Sequence, residues 1–203
     1  MSNITAEFLF DFGSPNAYLV HNVLPALEAR TGVTFKRVPV LLGGVFKATG
    51  NQPPMMAFGG IKNKMEYEQL EMQRYITQHK LDAFAFNPNF PVNTLMMMRA
   101  AIAAERQGIL PAYMEAGMQL MWEEGKKMDD PDVFVAAFSD KGLDGKALLE
   151  ATQDPAIKSV LVANTEDAVA RGVFGIPTFF VNNEMWFGKD RLDQVEQFIA
   201  SSK

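Results

Sequence analysis

Residues 8–18, Phe-Leu-Phe-Asp-Phe-Gly-Ser-Pro-Asn-Ala-Tyr, constrain this chain more than any other stretch. Phe8 to Phe12 is a short aromatic run broken by one acid, the pattern of a buried strand. Gly13 permits a tight turn. Ser14 stands where a helix N-cap belongs, and Pro15 at the first helical position, where a missing N–H costs nothing. The spacing therefore predicts strand, turn and helix in immediate succession. It sets a hydroxyl at the positive end of a helix dipole, a place that suits an anion. A Ser at this position also serves simply as a cap.

The chain has 203 residues, enough for one core or a core with an inserted lobe. Hydrophobic residues make up 48% and charged residues 21%, so a packed globular protein is expected rather than a disordered one. The net charge is −5 and there is no basic run, so a nucleic-acid partner lacks its electrostatic footprint. No apolar segment is long enough to span a bilayer, and residues 1–7 lack the features of a signal peptide, so a cytoplasmic protein with no membrane partner is expected. Cysteine is absent, which removes disulfides, a thiolate nucleophile and the usual zinc sites. The only histidines are His21 and His79, so no metal site is expected. His21 lies seven residues beyond Ser14, roughly 10 Å along a helix, too far to act as its base. A serine-hydrolase role for Ser14 is thereby disfavoured.

Helical spacing continues from residue 15 to 30, with Pro25 inside and Gly32 as the stop. Residues 33–40 read as a second strand, giving a βαβ unit. Residues 41–51 read as a Gly-containing connection, followed by a turn at Asn51-Gln52-Pro53-Pro54. Helices are expected at 62–79, 93–107, 112–125, 131–139, 145–151 and 154–171, with a loop at 81–91. The strand signal returns at 175–181 and 184–187, joined by Asn182-Asn183 as a hairpin. A helix over 190–201, with Asp190 at its start, closes the chain.

A βαβ unit, a helical insertion and a Pro-led ββα unit form the layout of an α/β thioredoxin-like fold with an inserted all-helical domain. The expected boundaries are 1–53 with 171–203 for the thioredoxin-like part and 54–170 for the insertion. Beyond this layout, the chain resembles the kappa-class glutathione transferases and the bacterial 2-hydroxychromene-2-carboxylate isomerases. The resemblance covers nearly the whole chain. It is carried by Asp11 through Tyr18, by Asn51-Gln52-Pro53-Pro54, and by Lys64, Tyr67, Glu71 and Arg74 at their spacing. Phe90-Pro91, Gly175-Ile176-Pro177-Thr178 and the run from Phe187 to Leu192 complete it. The chain departs from the family at Lys189, where Ser is usual before the acid.

What the resemblance implies is a glutathione-dependent enzyme. Ser14 would donate its hydroxyl to the glutathione thiolate. Ile176, held by a cis Pro177, would pair with the cysteinyl backbone as an added strand. Asp190 would take the γ-glutamyl amine, and Lys189 beside it is a further expected glutathione contact. Asn51 and either Lys62 or Lys64 would hold other polar parts. The leading expectation is isomerisation of 2-hydroxychromene-2-carboxylate to trans-o-hydroxybenzylidenepyruvate in aromatic, naphthalene-type catabolism. Conjugation of small aromatic electrophiles by a kappa-like transferase, or peptide binding by a non-catalytic thioredoxin relative, are the alternatives. A homodimer is a further expectation from the resemblance.

Overall fold

The computed structural model describes residues 4–202; residues 1–3 and 203, which the expected domain limits include, lie outside it. The first strand, β1 (Ala6–Phe10), runs into α1 (Pro15–Thr31) and returns as β2 (Lys36–Pro39). There follow α2 (Leu42–Thr49), α3 (Pro54–Phe58), α4 (Lys64–His79), α5 (Leu95–Arg106) and α6 (Leu110–Trp122). Then come α7 (Pro131–Asp140), α8 (Gly145–Ala151) and α9 (Pro155–Ala170). The chain ends with β3 (Thr178–Val181), β4 (Glu184–Phe187), a 3-10 turn at Lys189–Arg191 and α10 (Leu192–Ser201). The sheet has the order β2-β1-β3-β4, with β1 parallel to β2 and antiparallel to β3. This is the thioredoxin-like arrangement expected.

Aromatic side chains of β1 and of the turn after it make the centre of the core. Phe8, Phe10 and Phe12 are fully buried, and Phe8 stacks on Phe179 of β3 at 5.5 Å. Each such ring is worth about 1.5–3 kcal/mol when removed from water. Phe12 also ties the helices to the sheet. Its ring meets Tyr113 edge-on at 5.7 Å, and its carbonyl accepts a 2.8 Å bond from the indole N–H of the buried Trp122. Gly117 makes that approach possible, because a methyl group there would fall 2.5 Å from the Phe12 ring.

Local chemistry sets the element ends. Ser14 caps α1 by accepting from the Ala17 N–H, and Gly32 closes the helix in the left-handed region. Asn182, with φ of 55°, turns the β3–β4 hairpin. Four expectations need correction. The second strand covers only Lys36–Pro39, because the Phe35 N–H is drawn to the Glu28 carboxylate at 2.7 Å. The expected connection at 41–51 is mostly helix α2, whose start is held by the Thr165 hydroxyl at Leu41 and the Asp11 carboxylate at Leu42. Pro54 is not a non-helical turn residue but opens α3, where its missing N–H is harmless. Asp190 lies within the 3-10 turn and caps no helix; Arg191 precedes α10.

Asp11 joins three segments. Its buried carboxylate accepts from the Thr94 hydroxyl at 2.6 Å, the Gly13 N–H at 2.8 Å and the Leu42 N–H at 2.7 Å. Burial pushes its pKa above the ordinary 3.8, and these donors oppose the rise without cancelling it. Asp11→Ala leaves the donors without a partner and is expected to cost about 3–5 kcal/mol in urea unfolding. The folded carboxyl holds its proton more tightly than the unfolded one, so raising pH through that interval favours unfolding of the wild type. The gap between wild type and Asp11→Ala should therefore be widest below the ordinary carboxyl pKa and narrow as pH rises. A cost below about 1 kcal/mol would contradict this role.

Candidate functional site

The site is built where the start of α1 meets the loop before β3. Ser14 is 4% exposed. Its hydroxyl oxygen accepts from the Ala17 N–H at 3.2 Å, and its proton goes to the Ile176 carbonyl at 3.0 Å. Gly13 needs its small size here, since a side chain would meet the Asp11 carboxylate and Thr94 at 3.3 Å. In the first turn of α1, Pro15 has no N–H and that of Ala17 is used by Ser14, which leaves the N–H of Asn16. The Asn16 side-chain oxygen is buried with no donor among the described residues.

The facing loop runs from Phe174 to Pro177, and the Ile176–Pro177 peptide is cis. The Thr178 hydroxyl donates to the Gly175 carbonyl at 2.7 Å, and the Gly188 N–H to the Pro177 carbonyl at 2.9 Å, so both flanks of Pro177 are fixed. The Ile176 N–H has no acceptor among the described residues. Phe174 and Phe187, 41% and 40% exposed, lie beside this loop with their rings 4.6 Å apart. They form an aromatic rim in contact with water.

Of the residues singled out from the sequence, the structure brings Ser14, Ile176 and Pro177 together. Asn51 also reaches the loop: its side-chain N–H donates to the Phe174 carbonyl at 2.7 Å. Lys64 does not; it pairs with Glu68 at 2.5 Å and lies 5.4 Å from the Phe58 ring. Lys62 precedes α4 and is exposed, with no ion pair among the described residues. Arg74 pairs with Glu71, while Tyr67 is exposed. His21, as expected, is engaged away from Ser14, 2.8 Å from Glu115.

Lys189 and Asp190 form a second polar centre, which joins α4 to the end of the sheet. The Lys189 ammonium is 2.6 Å from the Asp190 carboxylate and 5.0 Å from the centre of the Tyr75 ring. Lys189 is 7% exposed, whereas the Asp190 side chain is 65% exposed. The Tyr75 hydroxyl is buried without a partner among the described residues. Burial, followed by the charges of Asp190 and Asp193, raises the pKa of Tyr75 and keeps it neutral. Its ring packs 4.3 Å from His79, whose pKa burial lowers. Sequence spacing did not single out Tyr75, and nothing in the pattern of α4 marks it as the residue under the Lys189 charge.

Lys189 and Asp190 thus set a buried cation beside an exposed acid. Among the described residues there is no cluster of three or more His, Cys, Asp or Glu side chains that would bind a metal.

Comparison with known proteins agrees with the fold. The chain is 29% identical to the 2-hydroxychromene-2-carboxylate isomerase of Sphingobium xenophagum, over 96% of this chain and 97% of that protein. It is 25% identical to human glutathione S-transferase kappa 1, over 97% of this chain and 91% of that one. A solved structure of 2-hydroxychromene-2-carboxylate isomerase superposes with a TM-score of 0.82 at 27% identity, covering 97% of this chain and 95% of the other. The description "DSBA-like thioredoxin domain" matches residues 5–200, so the chain belongs to the DSBA-like thioredoxin domain family.

Proposed function

We propose that this protein is a glutathione-dependent isomerase acting on a small aromatic-derived acid, of the 2-hydroxychromene-2-carboxylate type. The reading is carried by the position of Ser14, a hydroxyl at the start of a helix, 3.0 Å from the carbonyl that precedes a cis-proline, in a chain without cysteine. Similarity to isomerases and kappa transferases supports it. Glutathione, when bound, supplies a thiolate that adds reversibly to a conjugated enone, so that the double bond becomes a rotatable single bond before the thiolate leaves. Opening of the hemiketal, in which the ring C–O bond breaks and the hydroxyl proton passes to the phenolic oxygen, would first expose that enone in 2-hydroxychromene-2-carboxylate; the cycle would then give trans-o-hydroxybenzylidenepyruvate and return the thiol unchanged.

The chain's own residues would hold the sulfur as an anion. Lowering a thiol pKa from about 8.5–9 to about 6.5 takes roughly 3 kcal/mol of preference for the charged form. A hydrogen bond to a charged group supplies about 1.5–3 kcal/mol, and a helix N-terminus about 0.3–1. The Ser14 proton is therefore the larger contribution. Ser14 has a single proton, so donation to sulfur ends its bond to Ile176. The Ile176 carbonyl is then released to accept a peptide N–H from the ligand, while its own free N–H donates to a ligand carbonyl, as in an added strand. Lys189 and Asp190 would take the γ-glutamyl carboxylate and amine. Asn51 would keep the loop in place through Phe174, and Lys62 or Lys64 would reach the glycyl carboxylate. The Phe174–Phe187 rim offers an apolar face to the electrophile. On this reading the site lies between a thioredoxin-like part at 1–53 and 171–203 and a helical insertion at 54–170.

A kappa-like transferase is the second reading, favoured by the 25% identity to the human enzyme. Incubation with 2-hydroxychromene-2-carboxylate separates the two: isomerisation with full recovery of glutathione is expected, whereas a stable conjugate would mean transferase chemistry.

Ser14→Ala should raise the pKa of the bound thiol by about 1–2 units and leave glutathione bound, as read by thiolate absorbance against pH in the saturated complex. If wild type and variant titrate together, Ser14 is only a helix cap. Lys189→Met and Asp190→Asn should each raise KM for glutathione by about tenfold with little change in kcat, since their contacts are remote from sulfur. A large fall in kcat at saturating glutathione would contradict that role.

A further inference from the structure

A second cavity lies away from these residues, between α2, α5 and α9, with a volume of about 560 Å³. Its walls are apolar. Leu41 contributes from the start of α2, Leu95 from α5, and Leu161, Val162 and Val169 from α9. Val162, at the edge of the cavity, is 53% exposed. The cavity abuts the Asp11 junction rather than the start of α1: Leu41 and Leu95 each neighbour a residue that donates to Asp11, namely Leu42 and Thr94. Ser14, Ile176, Lys189 and Asp190 do not line it.

Each of the three helices brings one cation to this cavity: Lys47 from α2, Arg99 from α5 and Lys158 from α9. One acid, Glu166, also lines it. None of the three cations forms an ion pair with a described residue. Lys158 donates only to the neutral Gln153 side chain at 3.2 Å. Arg99 is half-buried and has no hydrogen-bond partner among the described residues. In a chain whose net charge is −5, three cations facing one apolar cavity stand against the overall charge.

We propose that this cavity is a second binding site, for an amphipathic organic anion with an unbranched or single-ring apolar body and one carboxylate. The apolar walls would take the body, and Arg99, with its planar fork of donors, would take the carboxylate. Lys47 and Lys158 add positive potential at the same cavity. A small anion without an apolar body would leave the leucine and valine walls in water, and a neutral apolar molecule would leave the cations unused. The size is in the range of small-molecule sites, about 300–1,000 Å³.

Decanoate is a suitable probe, followed by calorimetry on the full-length protein. Saturable binding of one decanoate per chain is expected, unaffected by saturating glutathione. Arg99→Gln should weaken it by about tenfold, Arg99→Lys by only about threefold, and decanol should bind at least about tenfold more weakly than decanoate. Val162→Trp, which fills the cavity from its exposed edge, should abolish binding without changing the thermal unfolding midpoint by more than a few degrees. Equal affinity of wild type and Arg99→Gln for decanoate would overturn the proposal. So would displacement of decanoate by glutathione, which would put the probe in the Ser14 site. Absence of binding, with Val162→Glu converting a dimer to a monomer, would show that a second copy of the chain covers this face instead.

Discussion

The buried carboxylate of Asp11 is the constraint on which the rest of the architecture depends. It ends β1, fixes the turn that leads to Ser14, receives the first N–H of α2 and binds the hydroxyl that precedes α5. A carboxylate removed from water is tolerable only when it is well hydrogen-bonded, and here one hydroxyl and two amide donors from three chain segments supply the bonds. The result is that the sheet, the start of α1 and the helical region meet at one point. Trp122 adds a second tie from α6 to the carbonyl of Phe12, one residue further along.

From that junction follows the placement of Ser14. Its hydroxyl is shared between a backbone N–H of its own helix and a carbonyl 162 residues away, so the start of α1 and the cis-proline loop are positioned against each other by one oxygen. The same exchange of partners that would turn the hydroxyl to a sulfur anion would free the Ile176 carbonyl for a ligand amide. Beyond the loop, Lys189 and Asp190 form an ion pair of one buried and one exposed side chain. Tyr75 packs under the ammonium and couples α4 to this pair.

Much of this was legible in the sequence because it rests on local chemistry. The succession of Gly13, Ser14 and Pro15 is a turn, a cap and a first helical residue whatever surrounds it. Asn182-Asn183 turns the hairpin for similar reasons, and α8 covers Gly145–Ala151 as the spacing predicted. What escaped was long-range. Gly43 and Gly44 read as a loop, yet they are helical because Thr165, 124 residues from Leu41, holds the start of α2 and packs against Gly44. Asp11 looked like one acid in an aromatic strand; its role needs Thr94, which the sequence does not connect to it. Asn51 was singled out as a ligand contact; what the sequence did not show is that its side-chain N–H also donates to the Phe174 carbonyl and so ties it to the loop before Pro177. Lys189, a departure from the family pattern and an expected glutathione contact, is the buried member of an ion pair.

The central claim is that the start of α1 holds glutathione as its thiolate. Calorimetric titration of the protein with glutathione at neutral pH, repeated in two buffers of different ionisation enthalpy, tests it most directly. A free thiol is almost wholly protonated at that pH, so the account predicts release of more than half a proton for each glutathione bound, and none when S-methylglutathione replaces it. No binding, or the same binding enthalpy in both buffers, would contradict it.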